Sequence, residues 1–300
     1  MTSYVESNAR ERMQHLLDAN SFEEFLPPSR RIVSPHLEQL DAPVSFDDGV
    51  VIGRGRLQGK KVFVAAQEGG FMGGAVGEVH GAKLVGLLKR AIKEEAEAVL
   101  LLLETGGVRL HEANAGLIAV SEVMRAVLDV RAAGIPVISL VGGSNGCFGG
   151  MGIVARCTNA VVMSEEGRLA MSGPEVIETA NGVEEFDSRD RALVWRTTGG
   201  KHRYLIGDCQ AIVADDLSRF RDAAVQQIAQ WQRNGTQLTL EALEREHEML
   251  SHRLDAFGNV VDPMDIWTSL GIEAPGAVPL LDPDAFVDRV GEHRIVRTGE

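Results

Sequence analysis

Residues 98–109, AVLLLLETGGVR, give the clearest indication of the fold class, because they join an unbroken apolar run to a polar residue and a pair of glycines. An apolar run without polar alternation predicts a strand that is buried on both faces, as in a sheet covered by helices on each side. Residues 135–141, IPVISLV, form a second run of this kind and also lead into glycines, at 142–152. A recurring strand that ends on glycines predicts an α/β protein.

Further predicted elements surround these two strands in a regular order. Residues 50–56 and 61–67 are β-rich runs, and the four residues between them, LQGK, are typical of a hairpin turn. The other predicted strands cover residues 160–164, 168–171 and 211–214, and the predicted helices cover residues 82–97, 113–133, 174–179, 188–197 and 217–233. The strand–strand–helix order favours stacked ββα units over a strict alternation of strand and helix.

The two ends of the chain differ from this central pattern. Residues 5–20 predict an amphipathic helix, and residues 21–24, SFEE, form a capping box that predicts a second short helix. Near the other end, a charged helix over residues 240–254 precedes a segment punctuated by prolines. We therefore expect one domain over residues 1–300, with a helical arm at 1–45 and a helical tail at 236–300.

Composition and charge narrow the classes of function. With 300 residues and 44% of them apolar, the chain is long enough to bury a large core. Its 43 acidic residues outnumber 30 basic ones, and the net charge of -13 disfavours nucleic acid and anionic membranes as partners. No segment reaches the ~18–20 apolar residues that span a bilayer, and the first residues lack a signal core. Cys147, Cys157 and Cys209 have neither CxxC nor zinc-binding spacing, which predicts no metal site and a reducing cytoplasm.

Three glycine-rich turns are the candidate binding elements. They are residues 69–74 (GGFMGG), 104–109 (ETGGVR) and 142–150 (GGSNGCFGG). Glycine turns at the ends of strands expose backbone N–H groups, and at the start of a helix the dipole also favours negative charge. Two such turns facing each other can hold a thioester oxygen as it becomes an enolate, which defines an oxyanion hole. The alternative is that the glycines only allow helices to pack closely on the sheet.

Residues 142–146, GGSNG, also fit the nucleophile elbow G-x-S-x-G and follow a predicted strand, so Ser144 is a candidate hydrolase nucleophile. An elbow needs an acid and then a histidine later in the chain. The available histidines are His202, His247, His252 and His293, and none lies in a recognisable loop after a late strand. A dinucleotide site at the first turn is disfavoured because GFMGG lacks the G-x-G-x-x-G spacing.

Four other polar residues lie close to the turns. Glu104 ends the strand that precedes the second turn, and it either faces solvent or accepts hydrogen bonds at the strand end. Arg109 and His111 follow that turn and either hold a carboxylate or orient the loop. His80 follows the first turn and either lies near a ligand phosphate or only begins a helix. The sequence leaves these alternatives open.

Four motifs in order resemble biotin-dependent acyl-CoA carboxyltransferase subunits. ARERM at residues 9–13 is similar to their opening, and FMGG at 71–74 is similar to their FMGG loop. TGGVR at 105–109 resembles their SGGAR turn, and MSGPEVIE at 171–178 resembles their AGPRVIE segment. The order and spacing agree over about residues 9–215.

This resemblance implies a crotonase-like (ClpP/crotonase) fold and a site built from backbone amides. It implies one oxyanion hole at Gly107 and Val108 and a second around Phe148, Gly149 and Gly150. The residues that it implies in binding of the substrate or its CoA derivative are Phe71, Gly73, Gly74, Gly106, Arg109 and Phe148. Complete carboxyltransferases have two such domains, and this chain matches the thioester-binding half, so a second subunit is expected.

Within the family, ETGGVRLHE at residues 104–112 looks most like malonate decarboxylase beta subunits. Bacterial acetyl-CoA carboxylase beta subunits begin with a four-cysteine zinc ribbon, and the absence of a cysteine before Cys147 argues against that enzyme here. Glu175 stands where the family pattern has arginine. The likeness implies decarboxylation of a malonyl thioester, on an acyl carrier protein, to an acetyl thioester and carbon dioxide. Its CoA-derived prosthetic group would be carried by that partner; no cofactor is expected covalently on this chain, and no biotin.

The likeness also implies partners and leaves alternatives. The expected partners are a gamma carboxyltransferase subunit, the acyl carrier protein and an alpha acyl-transferase subunit. The first alternative is the carboxyltransferase half of a biotin-dependent acyl-CoA carboxylase or decarboxylase. The others are a hydrolase that uses Ser144 and a scaffold subunit without catalytic activity.

Overall fold

A seven-stranded sheet forms the centre of the computed structural model, which describes residues 2–36, 38–41, 49–235 and 238–296. The expected arm at 1–45 and tail at 236–300 therefore lie partly outside the described residues. The strands follow one another across the sheet in chain order. They are β1 (Glu23–Phe25), β2 (Val50–Leu57), β3 (Lys60–Gln67), β4 (Ala98–Leu102), β5 (Val137–Val141), β6 (Ala160–Ser164) and β7 (Ala211–Val213).

The sheet is antiparallel at one edge and parallel elsewhere. β1, β2 and β3 pair antiparallel, and β3 to β7 pair parallel. Gln58 and Gly59 have φ of 50° and 78° between β2 and β3, as a tight hairpin turn requires, so the predicted hairpin is confirmed. Every residue of β4, β5 and β6 is buried, as the unbroken apolar runs predicted.

Helices cover both faces of the sheet because successive side chains of each strand point to opposite sides. The helices are α1 (Ala9–Leu16), α2 (Glu78–Lys93), α3 (Ala115–Ala132), α4 (Gly150–Cys157), α5 (Pro174–Asn181), α6 (Arg191–Thr198), α7 (Gly200–Leu205), α8 (Leu217–Asn234), α9 (Leu240–Phe257), α10 (Pro263–Ser269) and α11 (Pro283–Val290). Phe63 and Ala65 of β3 join the core beneath α2, α3 and α4, whereas Val62 and Val64 join the core beneath α1 and α8.

The N-terminal region differs from the expected pair of helices. The helix predicted to begin at residues 21–24 is wrong, because Glu23–Phe25 form the edge strand β1. Pro27 and Pro28 follow at once and leave too little chain for a helical turn. The capping box instead lies at Asn8 and Glu11, so the first helix is shorter than residues 5–20.

The strand predicted at residues 168–171 is also wrong as a full strand. In its place, single parallel bridges join Thr105 to Cys147 and Cys147 to Leu169. The glycine turns on either side bend the chain after each contact, so the ladder does not extend. Isolated bridges thus stand in place of the second strand of the expected ββα units.

The C-terminal tail packs on α7 through α10, α11 and the segment between them. Trp267 and Phe286 are buried, and Lys201 donates to the carbonyls of Pro279 and Leu281 at 2.9 and 2.6 Å. The Trp267 indole N–H donates to Nδ1 of His202. Among the helices in the described residues, none is both long and apolar enough to cross a membrane.

Candidate active site

The three glycine turns meet because they follow β3, β4 and β5, which are adjacent parallel strands with their carboxyl ends at one edge. The Gly106 N–H donates to the Gly73 carbonyl at 2.9 Å, which joins the second turn to the first. The Thr105 N–H donates to Gly146 at 2.8 Å, and the Phe148 N–H returns a bond to Thr105 at 3.0 Å. The structure therefore brings together the site residues that the sequence indicated in all three turns.

The first turn depends on left-handed backbone and on a close approach. Gly73 and Gly74 have φ of 63° and 69°. A Cβ atom on Gly74 would lie 1.9 Å from the carbonyl oxygen of Glu104, so no other residue fits there. Gly73 is exposed, and a Cβ atom on it would meet nothing within 4 Å. Phe71 is half-buried beside these glycines, so the first turn offers an open backbone edge.

Two backbone amides remain available between the second and third turns. The Gly107 N–H donates to Thr105 Oγ1 at 3.0 Å, and the Gly149 N–H donates to the Met171 carbonyl at 2.9 Å. Within the part of the chain that the structure describes, the N–H groups of Val108 and Gly150 have no hydrogen-bond partner. Both residues are half-buried.

The two turns lie against each other. A Cβ atom on Gly149 would be 3.3 Å from the Cα atom of Gly107, so the backbones are in contact at this point. Gly149 is also the N-cap of α4, and Gly150 is its first residue, so the dipole of α4 adds to the field of its amide. The amides of Val108 and Gly150 thus belong to neighbouring segments, and one oxygen atom held between them is the simplest use of this geometry.

Arg168 lies on the rim of the third turn. Its guanidinium carbon is 5.6 Å from the ring centre of Phe148 and 5.0 Å from that of Trp195. It donates to the Ser144 carbonyl, and burial lowers its pKa below the ordinary value. Phe148 is buried beside this guanidinium and packs in the wall of the site.

Arg109 is occupied inside the protein. It forms a buried ion pair with Glu112 at 3.1 Å and donates from Nε to the Ala75 carbonyl at 2.9 Å. Glu112 also accepts the Glu78 N–H at the start of α2, at 2.7 Å. Arg109 therefore joins the second turn to the first turn and to α2. Of the two roles that the sequence left open, the contacts favour orientation of the loop.

Glu104 is buried rather than solvated at its strand end. Its carboxylate pairs with Arg12 of α1 at 2.5 Å, and both side chains are less than 5% exposed. It accepts the N–H of Asn145 at 3.2 Å and the hydroxyl of Ser144 at 3.3 Å. The sequence did not indicate Arg12 or Glu112 as site residues. Arg12 lies 92 residues from its partner Glu104, and Glu112 acts only through Arg109 and the start of α2.

Ser144 lacks the surroundings of a hydrolase nucleophile. Its hydroxyl donates to Glu104, and within the described residues no histidine contacts it. His202 is bonded to Trp267, and burial lowers its pKa to about 3. His80 lies beside Gln67 at 3.1 Å, deep beneath the first turn, which favours its role in the start of α2. His111 is partly exposed after the second turn.

The cysteines and acidic residues offer no metal centre among the described residues. Burial raises the pKa of the Cys209 thiol to about 12 and also raises that of Cys147. Neither thiol is therefore a ready nucleophile. The functional groups that the site presents are backbone amides, not reactive side chains.

Comparison with known proteins identifies the family to which this chain belongs. The model of the carboxyl transferase domain matches residues 6–226. The malonyl-S-ACP:biotin-protein carboxyltransferase MADC of Malonomonas rubra is 42% identical over 95% of this chain and 94% of its own length. The acetyl-coenzyme A carboxylase carboxyl transferase subunit beta of Fusobacterium nucleatum is 32% identical over 58% of this chain and 59% of its own length.

Solved structures give the same result for the fold. A chain of a Pseudomonas malonate decarboxylase hetero-tetramer, crystallised with malonate, superposes with a TM-score of 0.77 and 41% identity, over 87% of this chain and 93% of its own. A chain of the Pseudomonas MdcD–MdcE hetero-dimer has a TM-score of 0.62 and 40% identity, over 76% and 88%. These structural neighbours are carboxyltransferases of the crotonase fold, so the predicted fold class is confirmed.

Proposed function

Because the chain belongs to the carboxyl transferase domain family, we propose that it is the thioester-binding subunit of a malonate decarboxylase. Its substrate would be a malonyl thioester on the CoA-derived arm of an acyl carrier protein, with acetyl thioester and carbon dioxide as products. The observation that carries the proposal is a pair of amides, those of Val108 and Gly150, on turns that are in backbone contact. Neither amide has a hydrogen-bond partner among the residues that the structure describes.

The proposed reaction needs little from side chains. The bond between the malonyl C2 and its carboxylate breaks, carbon dioxide leaves, and the electron pair moves into the thioester as an enolate. The amides of Val108 and Gly150 would donate to that oxygen, and loss of one donor in comparable sites costs about 2.7–4 kcal/mol. A proton then adds to C2 to give the acetyl thioester. Blocking the amides should therefore remove turnover and leave the fold intact.

The glycine turns fit a thioester arm by their openness. A Cβ atom on Gly73 or Gly107 would meet nothing within 4 Å, so the backbone edge at both positions is free to receive a ligand. The residues that border this edge are Phe71, Gly74, Gly106 and Arg109. The ion pair with Glu112 holds the Arg109 side chain in place. We expect the edge to bind the arm by backbone contacts, and we expect the chain to work in the cytoplasm.

A second subunit forms part of the proposal. The similar Pseudomonas proteins were crystallised as hetero-dimer and hetero-tetramer, which supports a heteromeric enzyme here as well. We propose a gamma carboxyltransferase subunit opposite the amides, with the acyl carrier protein and an alpha acyl-transferase subunit in the larger assembly. The proton donor to C2 would then come from that partner or from His111.

Biotin-dependent carboxyl transfer is the second candidate, because the similar Malonomonas protein is described as a malonyl-S-ACP:biotin-protein carboxyltransferase. The same amides would serve both reactions, since each passes through the same enolate. The two candidates differ in the fate of the carboxyl group, which the second subunit decides.

Decarboxylation can be measured with malonyl thioester offered to this chain alone and with its candidate partner, each with and without avidin. Activity that needs the partner and ignores avidin supports the biotin-independent enzyme. Inhibition by avidin would establish the biotin-dependent transferase instead. Thioester hydrolysis by this chain alone would reject both and return Ser144 to consideration.

A further inference from the structure

The carboxylate of Glu104 lies directly beneath the glycine turns. Its carboxyl carbon is 2.5 Å from the place where a Cβ atom of Gly69 would be, and 2.1 Å from the corresponding place on Gly143. Any larger residue at either position would collide with it. Glu104 itself begins the second turn, so this single side chain contacts the first and third turns and is covalently part of the second.

The hydrogen bonds of this carboxylate fix the third turn. One oxygen, Oε1, accepts the Asn145 N–H at 3.2 Å and the Ser144 hydroxyl at 3.3 Å. The side-chain amide of Asn145 in turn donates to the Gly69 carbonyl at 3.0 Å, which joins the third turn to the first. Five residues after Asn145, the same segment provides the amide of Gly150.

The N-terminal arm provides the opposite charge. Arg12 Nη1 donates to Oε2 of Glu104 at 2.5 Å, and the exposed fractions of the two side chains are 3% and 4%. Arg12 is held by its own contacts, since Nε donates to the Tyr4 carbonyl at 2.9 Å and the guanidinium lies 4.2 Å from the Tyr4 ring centre. The pair spans 92 residues of sequence.

The position of this ion pair beneath the turns matters for catalysis as well as for folding. A buried carboxylate without a partner is unfavourable by several kcal/mol, so Arg12 allows Glu104 to remain ionised where it is. An unpaired negative charge beneath the turns would also oppose the enolate that forms above them. The positive charge of Arg12 offsets both the cost of burying the carboxylate and its repulsion of the enolate. Glu104 can therefore stay ionised and accept the Asn145 N–H.

We infer that Arg12 and Glu104 are positioning residues of the proposed decarboxylation: the arm arginine orients the carboxylate, and the carboxylate sets the third turn so that the Gly150 amide faces that of Val108. The inference rests on the proposed function. It assigns to the first helix a role in turnover as well as in folding. Neither residue contacts substrate, so both act through the turn.

The test compares R12M, R12K and the double variant R12M/E104L with R221M as the matched control. Arg221 fastens the same arm, to Asp18 and to the Leu16 carbonyl at 2.7 Å, without touching Glu104. Breaking one half of a buried pair destabilises a protein, whereas replacing both halves by apolar residues is often close to neutral. Stability should therefore fall in R12M and return in the double variant.

Turnover should not return with stability. We expect kcat in R12M/E104L to be at least tenfold below the wild type with KM within twofold, because the turn has lost its acceptor and the amides act on the transition state. R12K should regain most of the activity that R12M loses. R221M should keep its kcat. A double variant that is both stable and fully active would overturn the inference.

Hydrogen exchange separates this outcome from failure of the proposed function. Amides of residues 143–150 should exchange faster in R12M/E104L than in the wild type or in R221M, whether or not the wild type decarboxylates malonyl thioester. Faster exchange with an inactive wild type would support the positioning of the turn and reject the reaction. Unchanged exchange would reject the positioning role itself.

Discussion

Replacement of Gly149 by alanine tests the oxyanion hole without touching either donor. Gly149 has φ of 65° and ψ of -146°, a region that residues other than glycine rarely adopt. Its added Cβ atom would lie 3.3 Å from the Cα atom of Gly107, inside the roughly 3.5–4.0 Å that carbon atoms prefer. The two turns must therefore separate by a few tenths of an ångström.

The size of the effect follows from these two terms. The unfavourable backbone conformation costs on the order of 1–3 kcal/mol of stability. The separation moves the Gly150 amide away from that of Val108, and a misplacement of ~1 Å can cost about 10²-fold in rate. A shift of a few tenths of an ångström should therefore lower kcat by roughly tenfold, with KM little changed.

Gly235→Ala is the matched control. Gly235 has φ of 88° and ψ of 152° at the end of α8, and a Cβ atom there would meet nothing within 4 Å. Both variants should lose similar stability in chemical denaturation, but only Gly149→Ala should lose turnover in the assay with the partner subunit. Equal activities in the two variants at equal folded fraction would refute the oxyanion-hole geometry.

Three further results are expected. Ser144→Ala should keep more than half of the decarboxylase activity, because its hydroxyl makes only a 3.3 Å bond to Glu104; complete loss would favour the hydrolase. Lys201→Met should leave two tail carbonyls without their donor and lower the free energy of unfolding, measured by chemical denaturation, by about 1–3 kcal/mol. An unchanged denaturation midpoint would show that the packing of the tail does not depend on Lys201. Because the pKa of His202 is lowered to about 3, the unfolded chain binds up to one more proton than the folded chain between pH 3 and the ordinary pKa near ~6.5. Stability should therefore fall as the pH is lowered through that window, by up to ~1.4 kcal/mol per pH unit. His202→Gln should reduce that slope, and an identical slope in both proteins would contradict the assignment.

The central strands could be predicted because burial on both faces leaves a direct mark on the sequence. The apolar runs that became β4 and β5 cannot be mistaken for exposed segments. The edge strand β1 was mistaken for a helix because three residues give no periodicity, and its pairing with β2 depends on chain that follows 25 residues later. Local pattern decides an element only where the element is long enough to show its period.

The tail helices α10 and α11 have a start signal in the sequence. Each begins with an aspartate followed by proline, at Asp262 and Asp282, and in each the aspartate side chain caps the helix. Asp at the N-cap with Pro as the first helical residue is a recognised helix start. In contrast, nothing in the sequence indicates that α7 would hold this tail through Lys201.

The candidate site was predictable as a set of turns but not as a set of free donors. Composition and spacing identified the three glycine segments. Which amides remain available depends on Thr105 Oγ1 and the Met171 carbonyl, which take up the N–H groups of Gly107 and Gly149. These hydrogen bonds within the loops depend on the folded backbone. The sequence therefore indicates the turns, but not which of their amides can donate to a ligand.

The charges around the site suit the proposed decarboxylation, in which the thioester oxygen becomes negative only on the way to product. Arg12 is neutralised by Glu104, and Arg109 by Glu112, so the turns rest on two buried pairs with no net charge. A free cation in their place would bind the malonyl carboxylate as well as the enolate, and uniform binding of that kind does not raise kcat. Amide dipoles aimed at the thioester oxygen discriminate between the two states, because that oxygen becomes strongly negative only as carbon dioxide leaves. The neutral pairs therefore do more than support the turns: they add no net charge beneath the amides and the α4 dipole.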